Sequence, residues 1–210
     1  MNMKKTATPA YMLSSYGLLL VLTLLLAGCT TTRPDAAVKV YDFGPASRQS
    51  AAATSQPALA TLILYEPQVS SALEGNAVLY RLAYADAQQL KPYALTRWSM
   101  PPAQLISQRL RQQLGAQRAV VAPGEAAAPL NLRLVLEEFS HVFVSPTDSH
   151  GLLRLRATLT QRSGGSETLL AQRSFVVQQA APTPDAPGAV RALTAASDQA
   201  IEQLTAWLPR

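Results

Sequence analysis

The reaction that this sequence marks most clearly is the attachment of a lipid to a cysteine. Cys29 is the only cysteine among 210 residues, and the three residues before it are Leu-Ala-Gly. A small-residue turn that closes on a cysteine at the end of an apolar leader is typical of a lipoprotein cleavage site. We therefore predict that the Cys29 thiol receives a diacylglycerol, and that residues 29–37 form an acylated N-terminus and a polar tether.

The residues before Cys29 have the parts of an export signal. Lys4 and Lys5 give a positive start, and an apolar run from Tyr16 to Ala27 follows. That run is shorter than the ~18 to 20 apolar residues that a membrane-spanning helix needs. We predict that residues 1–28 are a lipoprotein signal peptide, and the alternative is a retained membrane helix with an incidental cysteine.

A second group of reactive side chains surrounds the two histidines, His141 and His150. Asp148 and Ser149 lie between them and Ser145 is near, so the residue types of a hydrolase triad occur in one stretch. A triad is a spatial arrangement, however, and the sequence contains no Gly-x-Ser-x-Gly pattern. We interpret His141 as a strand residue and 148–150 as a hairpin loop, and keep a periplasmic hydrolase as an alternative hypothesis.

Other patterns for catalysis or ligand binding are weak. Two histidines without a spaced pair of carboxylates make a poor metal site, and no glycine-rich motif precedes a lysine. Glu137 and Glu138 could act as an acid pair, but adjacent strand residues point to opposite faces. We therefore predict no catalytic residue, no metal and no cofactor, and hence a protein that is not an enzyme.

Aromatic and basic residues are densest in the stretch that contains Tyr80-Arg81, Tyr93 and Arg97-Trp98. Arginine and aromatic side chains are favoured at the centres of protein interfaces. We predict that Tyr80, Arg81, Tyr93, Arg97 and Trp98 form a partner interface. A compatible alternative places Trp98 in the core, with Arg97 stacked or paired at its edge.

Charge and length restrict the class of protein further. The predicted leader holds two of the 18 basic residues and none of the 13 acidic ones, so the processed chain carries a net charge of +3. This weak, dispersed charge argues against a nucleic-acid partner. About 180 residues suit one domain with a hydrophobic core, and we predict that this domain spans residues 38–210.

The elements that position these residues follow from apolar periodicity. The phase of alternation changes at Glu137-Glu138, which predicts a β-bulge. Residues 46–57 lack bulky apolar groups and predict a loop, and residues 180–188 predict a proline-rich connector. Strands are predicted at 38–43, 59–65, 78–84, 92–98, 118–122, 130–144, 153–160 and 169–177, and helices at 101–115 and 190–208.

This order of elements predicts an α/β fold. We expect a three-layer sandwich in which helices cover a mixed β-sheet. The sheet would include an antiparallel run of three strands between residues 130 and 177, joined at the Gly164-Gly165 turn. The last element would be an amphipathic C-terminal helix.

The ordered set of these features resembles the ABC-type transport auxiliary lipoproteins, the PqiC-like family. No single motif is specific to that family, and the resemblance covers nearly all of the processed chain. The matching features are the cleavage site at Cys29, the Tyr-Asp-Phe-Gly-Pro run at 41–45, Tyr80-Arg81, Tyr93, Arg97-Trp98, Pro101-Pro102 at a helix start, Glu137-Glu138-Phe139, and a C-terminal helix that ends near Trp207.

The resemblance implies a three-layer α/β domain without chemistry of its own. It also implies that the protein acts together with a lipid transport system that contains an ATPase, a permease and a mammalian-cell-entry (MCE) domain protein. The resemblance is compatible with a homo-oligomer. Thr30, by resemblance to other bacterial lipoproteins, favours transfer to the outer membrane, facing the periplasm. The alternative is a lipoprotein that activates a cell-wall synthase or an outer-membrane assembly machine.

Overall fold

The computed structural model describes residues 37–45 and 59–210. The predicted leader, Cys29 and the predicted loop at 46–57 lie outside these residues. The described elements are β1 (Lys39–Tyr41), β2 (Leu59–Leu64), β3 (Gln68–Val69), a 3₁₀ turn (Ser71–Leu73), β4 (Ala77–Leu82), β5 (Leu90–Trp98), α1 (Pro102–Gly115), β6 (Arg118–Val121), β7 (Leu130–Phe143), β8 (Ser149–Ser163), β9 (Ser166–Ala180) and α2 (Ala186–Trp207).

The nine described strands form one mixed sheet organised around β7. One edge of β7 pairs with β8 along its whole length in antiparallel orientation. The other edge pairs in turn with β2, β3 and β4, all parallel to β7. The sheet then continues from β2 to β6, and from β4 through the antiparallel β5 to the parallel β1.

The long β8–β9 hairpin turns at two glycines with positive φ. Gly164 has a φ of 56° and Gly165 a φ of 90°, values that side chains with a Cβ rarely adopt. Two such residues match the twist of a tight hairpin. The predicted antiparallel run of β7, β8 and β9 is therefore confirmed, together with its turn.

Both helices begin where proline and capping residues place them. Pro102 is the first residue of α1, where a missing N–H is tolerated. Asp185 caps α2, because its carboxylate accepts a hydrogen bond of 2.8 Å from the Gly188 amide. Pro187 therefore lies in the first turn of α2, and the predicted connector at 180–188 ends earlier than expected.

The two helices lie on the same face of the sheet and contact each other. Arg109 of α1 places its Nε 3.4 Å from an oxygen of Asp198 in α2. A Cβ added to Gly151 of β8 would lie 2.8 Å from backbone atoms of Ala192 and Leu193, so α2 packs directly on the strand there. The predicted α/β class with a mixed sheet is confirmed, and the described elements form two layers where the sequence suggested three.

The hydrophobic core fills the space between this sheet face and the helices. Alternate residues of β7, β8 and β9 meet one stripe of α2, as period-2 and period-3.6 patterns require. α1 packs beside α2 and β6, and its buried residues join the same core. The largest fully buried side chains include Trp98, Phe139, Phe175, Ile106, Leu110 and Leu134.

The predicted β-bulge in β7 is confirmed, because the register against β8 shifts between Leu136 and Glu138. Glu137 lies 3.3 Å from Arg156, and Glu138 lies 3.2 Å from Arg81. Both arginines lie on the face opposite the helices. The bulge thus puts two consecutive carboxylates on the same face, and the sequence argument that they point to opposite faces was wrong.

Candidate partner-binding site

The five residues predicted as a partner interface lie on the adjacent strands β4 and β5, but they do not form one surface. Tyr80 and Tyr93 pack together, with ring centroids 4.6 Å apart. Arg81 points to the opposite face of the sheet, Arg97 binds the backbone of its own strand, and Trp98 is buried. The structure therefore assigns these residues to different tasks.

Tyr80 and Tyr93 belong to an aromatic cluster that includes two residues of β7. The Tyr80 ring lies 6.2 Å from Phe143, and the His141 ring lies 4.4 Å from Phe143. The register explains this, because Tyr80 is paired with His141 across β4 and β7. We call Tyr80, Tyr93, His141 and Phe143 the aromatic cluster.

A hydrogen bond joins the polar ends of this cluster. The Tyr93 hydroxyl lies 2.8 Å from Nδ1 of His141, whose side chain is fully buried. Burial lowers the pKa of His141 from its ordinary value of 6.5 to about 4, with His150 adding to the effect and Asp185 opposing it. The imidazole is therefore neutral at pH 7 and carries one ring hydrogen. The Tyr93 hydroxyl donates to Nδ1 when that hydrogen is on Nε2, and accepts from Nδ1 in the other tautomer.

The neighbouring groups also keep the Tyr93 hydroxyl and the His141 ring uncharged. Burial raises the pKa of Tyr93 well above its usual range, and the neighbouring Tyr80 and Asp185 act in the same direction. No hydrogen-bond partner for Nε2 of His141 is present among the residues that the structure describes. A neutral, rigid, aromatic pair of this kind is suited to packing and positioning.

Arg81 stabilises the turn between β4 and β5 from the opposite face. Its guanidinium donates to the carbonyl oxygens of Ala87 and Gln88 at 3.0 and 3.3 Å, and to the Glu138 carboxylate. Glu138 also accepts a hydrogen bond from Ser140. Arg81 thus connects the β4–β5 turn to the bulge in β7.

Arg97 holds an irregular segment of β5 in place. Ala77 is paired with Arg97 and Leu79 with Pro92, so an advance of two positions along β4 corresponds to five positions along β5. β5 therefore bulges between these pairs. The Arg97 guanidinium donates to the carbonyl oxygens of Tyr93 and Thr96 inside this bulge. The sequence did not predict the bulge, and Arg97 is the residue that stabilises it.

Trp98 lies beneath the surface and supports it. Its side chain has 0 % exposure and packs 5.6 Å from Phe43 and 5.7 Å from Phe139, centroid to centroid. The alternative that placed Trp98 in the core describes its position. Arg97 points away from it, to the other face of β5, next to Val40 of β1.

The residue types of a hydrolase triad are not assembled among the described residues. His150 lies in β8 rather than in the predicted loop. The Ser145 hydroxyl accepts a bond from the Asp148 amide, and the hydrogen bond of His141 goes to Tyr93. Within residues 37–45 and 59–210, no group of three potential metal ligands is found.

The sequence reasoning missed that His141 and Phe143 contact the predicted tyrosines. The sequence contained a signal for an aromatic surface on β7, because Phe139, His141 and Phe143 alternate along one face of this strand. What periodicity could not supply was the parallel register that puts β4 beside the end of β7.

Comparison with protein families agrees with this architecture. A family model described as the ABC-type transport auxiliary lipoprotein component matches residues 41–205. The chain belongs to this family. The match runs from the end of β1 almost to the end of α2, and it confirms the resemblance found in the sequence. A search of curated proteins found no significant match.

Solved structures share the fold of this family member. Protein XCC0632 from Xanthomonas campestris, assigned to a family named DUF330, superimposes with a TM-score of 0.62 at 17% identity, covering 70% of this chain and 82% of that one. An uncharacterized protein gives 0.55 at 15% identity, covering 81% and 97%. None of the helices that the structure describes is long and apolar enough to cross a membrane.

Proposed function

We propose that this family member is an outer-membrane-anchored periplasmic lipoprotein that serves an MCE- and ABC-type lipid transport system. It acts by binding and docking, without catalysis, and is held at the membrane by a lipid on Cys29. Its partners are the MCE-domain protein and the permease and ATPase of that system. The family match over residues 41–205 carries this proposal.

The leader and its cleavage site support the membrane anchor. The Leu-Ala-Gly-Cys sequence ends at Cys29, and Thr30 follows it. A lipid at Cys29 would hold the domain at the membrane, which is what a docking protein of a membrane-bound transport system requires.

The exposed part of the β4–β5 region supports a docking role. The two faces of this region differ: Tyr80 and Tyr93 are partly exposed on one face and Arg81 and Arg97 on the other. Leu95 in the β5 bulge is 45% exposed. Aromatic, arginine and apolar side chains held on a rigid support are what a protein interface uses. Trp98 contributes from beneath, by fixing the strand that carries the others.

Crosslinking in cells tests the proposed partners. A tagged full chain is purified after crosslinking, and the proteins recovered with it are identified by mass spectrometry. We expect an MCE-domain protein together with the permease or ATPase of an ABC transporter. Recovery of a cell-wall synthase or an outer-membrane assembly machine instead would support the alternative and contradict the proposal.

Two matched substitutions test the docking surface. Leu95→Arg puts a charge on the β5 bulge, whereas Leu170→Arg changes a leucine of equal exposure on β9, at the other edge of the sheet. We expect only Leu95→Arg to reduce recovery of the transport proteins, with both variants folded. If Leu170→Arg reduces recovery as much, or Leu95→Arg leaves it unchanged, the β4–β5 surface is not the docking site.

A further inference from the structure

A cleft of about 590 Å³ lies between β1 with its following turn and the helix α2. One wall is the continuous stretch from Val40 to Gly44, with Ser99 beside it. The other wall is a stripe of α2 formed by Val190, Arg191, Thr194, Ala195 and Asp198. The volume is in the range of protein sites that bind ligands.

The wall formed by β1 has hydrogen-bonding groups that no described residue uses. Among the described strands, β1 is the last of the sheet on its side and pairs only with β5. The Tyr41 carbonyl accepts a bond from the Ser99 amide. Because a parallel strand directs the backbone groups of alternate residues to the same side, the N–H and C=O of Val40 point to the free edge.

A free strand edge beside a helix is suited to an extended peptide. Strand addition at a sheet edge satisfies the backbone N–H and C=O groups, and side-chain pockets select the sequence. A lipid acyl chain could fill the same space, but it would leave the Val40 groups without hydrogen bonds. At about 3.3 Å per residue, the wall from Val40 to Gly44 accommodates about five residues of a peptide.

The charges in the cleft indicate which side chain the peptide carries. Arg191 is hydrogen-bonded to Thr183 at 3.0 Å, and its charge helps to lower the pKa of Asp185. Arg109 lies 3.4 Å from an oxygen of Asp198. Burial raises the pKa of Asp198, with Arg109 acting in the opposite direction, so its charged form is incompletely stabilised. Asp42 adds a second carboxylate to the lining, which favours a lysine or arginine between Asp42 and Asp198.

We infer that this cleft binds an extended segment of a partner protein, which adds as a strand to the free edge of β1. The segment carries apolar side chains at alternate positions and one basic side chain that reaches Asp42 and Asp198. The inference goes beyond the proposed function, because it concerns a different surface from the β4–β5 region and applies whichever protein supplies the segment.

A peptide library tests the inference even though the partner protein is unidentified. Random 12-residue peptides displayed on phage are selected on the full chain, and the enriched peptide is synthesised with a fluorescent label. We expect enriched sequences with alternating apolar residues and a lysine or arginine, and binding measurable by fluorescence anisotropy. Failure to enrich any peptide relative to selection on the Val40→Pro variant overturns the inference.

Three variants locate the binding site of the enriched peptide. Val40→Pro removes the free N–H but keeps the bonds of Lys39 and Tyr41 to β5, as proline permits on an edge strand. Ala195→Phe fills the cleft from an exposed position, and Glu202→Phe makes the same change on α2 outside the lining. We expect binding at least about tenfold weaker, or about 1.4 kcal/mol, for the first two variants and unchanged for the third.

A chemical control separates strand addition from apolar binding. The enriched peptide is N-methylated at alternate positions, which removes main-chain donors and keeps the side chains. We expect one of the two alternate sets of methyl groups to abolish binding. If both methylated peptides bind as tightly as the parent, or if Ala195→Phe binds normally while folded, the inference is wrong. Because no transport protein is present, these results are independent of the crosslinking experiment.

Discussion

The hydroxyl of Tyr93 on β5 reaches across β4 to Nδ1 of His141 on β7, at 2.8 Å. This bond joins the β4–β5 hairpin to the central strand of the sheet. Since His141 is fully buried and neutral, the bond fixes the position of Tyr93 without placing a charge in the interior. The predicted interface is therefore held by a residue that the interface prediction did not include.

Tyr93→Phe tests the contribution of this hydrogen bond to stability. The substitution keeps the ring but leaves Nδ1 of the buried His141 without its hydrogen-bond partner, which costs about 1 to 3 kcal/mol. We expect the free energy of unfolding in urea to fall by that amount. Tyr80→Phe is the matched control, because the Tyr80 hydroxyl makes no hydrogen bond to the described residues, and it should change stability by less than about 0.5 kcal/mol.

Stability should depend on pH through His141. Its pKa falls from 6.5 to about 4 on folding, so the unfolded chain binds more protons between these values. Stability therefore decreases as the pH falls from about 7 to about 4, by up to about 3 kcal/mol for this group. Urea unfolding measured at pH 7, 5.5 and 4 gives the slope.

Two histidine variants isolate this effect from other titrating groups. The pKa of Asp185 is lowered chiefly by its hydrogen bond from Thr183, so the stabilisation that this carboxylate gives the fold also decreases on acidification. Asp185 is present in every variant, so the comparison between variants still reports on the histidines. We expect His141→Gln to flatten the pH dependence between pH 7 and 4, and His150→Gln to leave most of it. An unchanged slope in His141→Gln would show that His141 does not titrate as described.

Gly151→Ala tests the direct contact between β8 and α2. The added methyl group would lie 2.8 Å from backbone atoms of Ala192 and Leu193, which can move only if the helix shifts. We expect a loss of about 2 kcal/mol or more in thermal or urea unfolding. Gly75→Ala is the control, since nothing lies within 4 Å of its added Cβ, and equal losses in both variants would contradict the contact.

Cys29→Ser tests the proposed anchor. The substitution removes the thiol to which the lipid is attached, so we expect the protein to leave the membrane fraction while its fold is kept. Membrane fractionation and the urea unfolding midpoint of the fractionated protein give the two measurements. Transport activity at the normal level with a fully released protein would show that the anchor is not needed for function.

The sequence predicted features that a local pattern encodes. The phase change at Glu137-Glu138 located the bulge, and Pro102 located the start of α1. The class of the fold followed from the order of such elements. These features depend on a few neighbouring residues, which is why they could be predicted from one chain.

Features that depend on distant pairing could not be predicted in this way. The β5 bulge requires a register between β4 and β5 that no periodicity in either strand reveals. Arg109 is buried because α2 and the carbonyl oxygens of Phe43 and Gly44 surround it, although arginine on a helix normally faces water. The contacts of His141 were missed for the same reason.

The short strand β1 has a mechanical consequence in the proposed anchored protein. Tension directed along β1 would load its hydrogen bonds to the parallel β5 in shear, so that they would have to break together. Phe43, packed edge-on against Trp98, resists the same displacement. Arg109 donates hydrogen bonds to the carbonyl oxygens of Phe43 and Gly44 and so holds the same segment. In a protein anchored as proposed, these contacts would oppose the detachment of β1 from the domain.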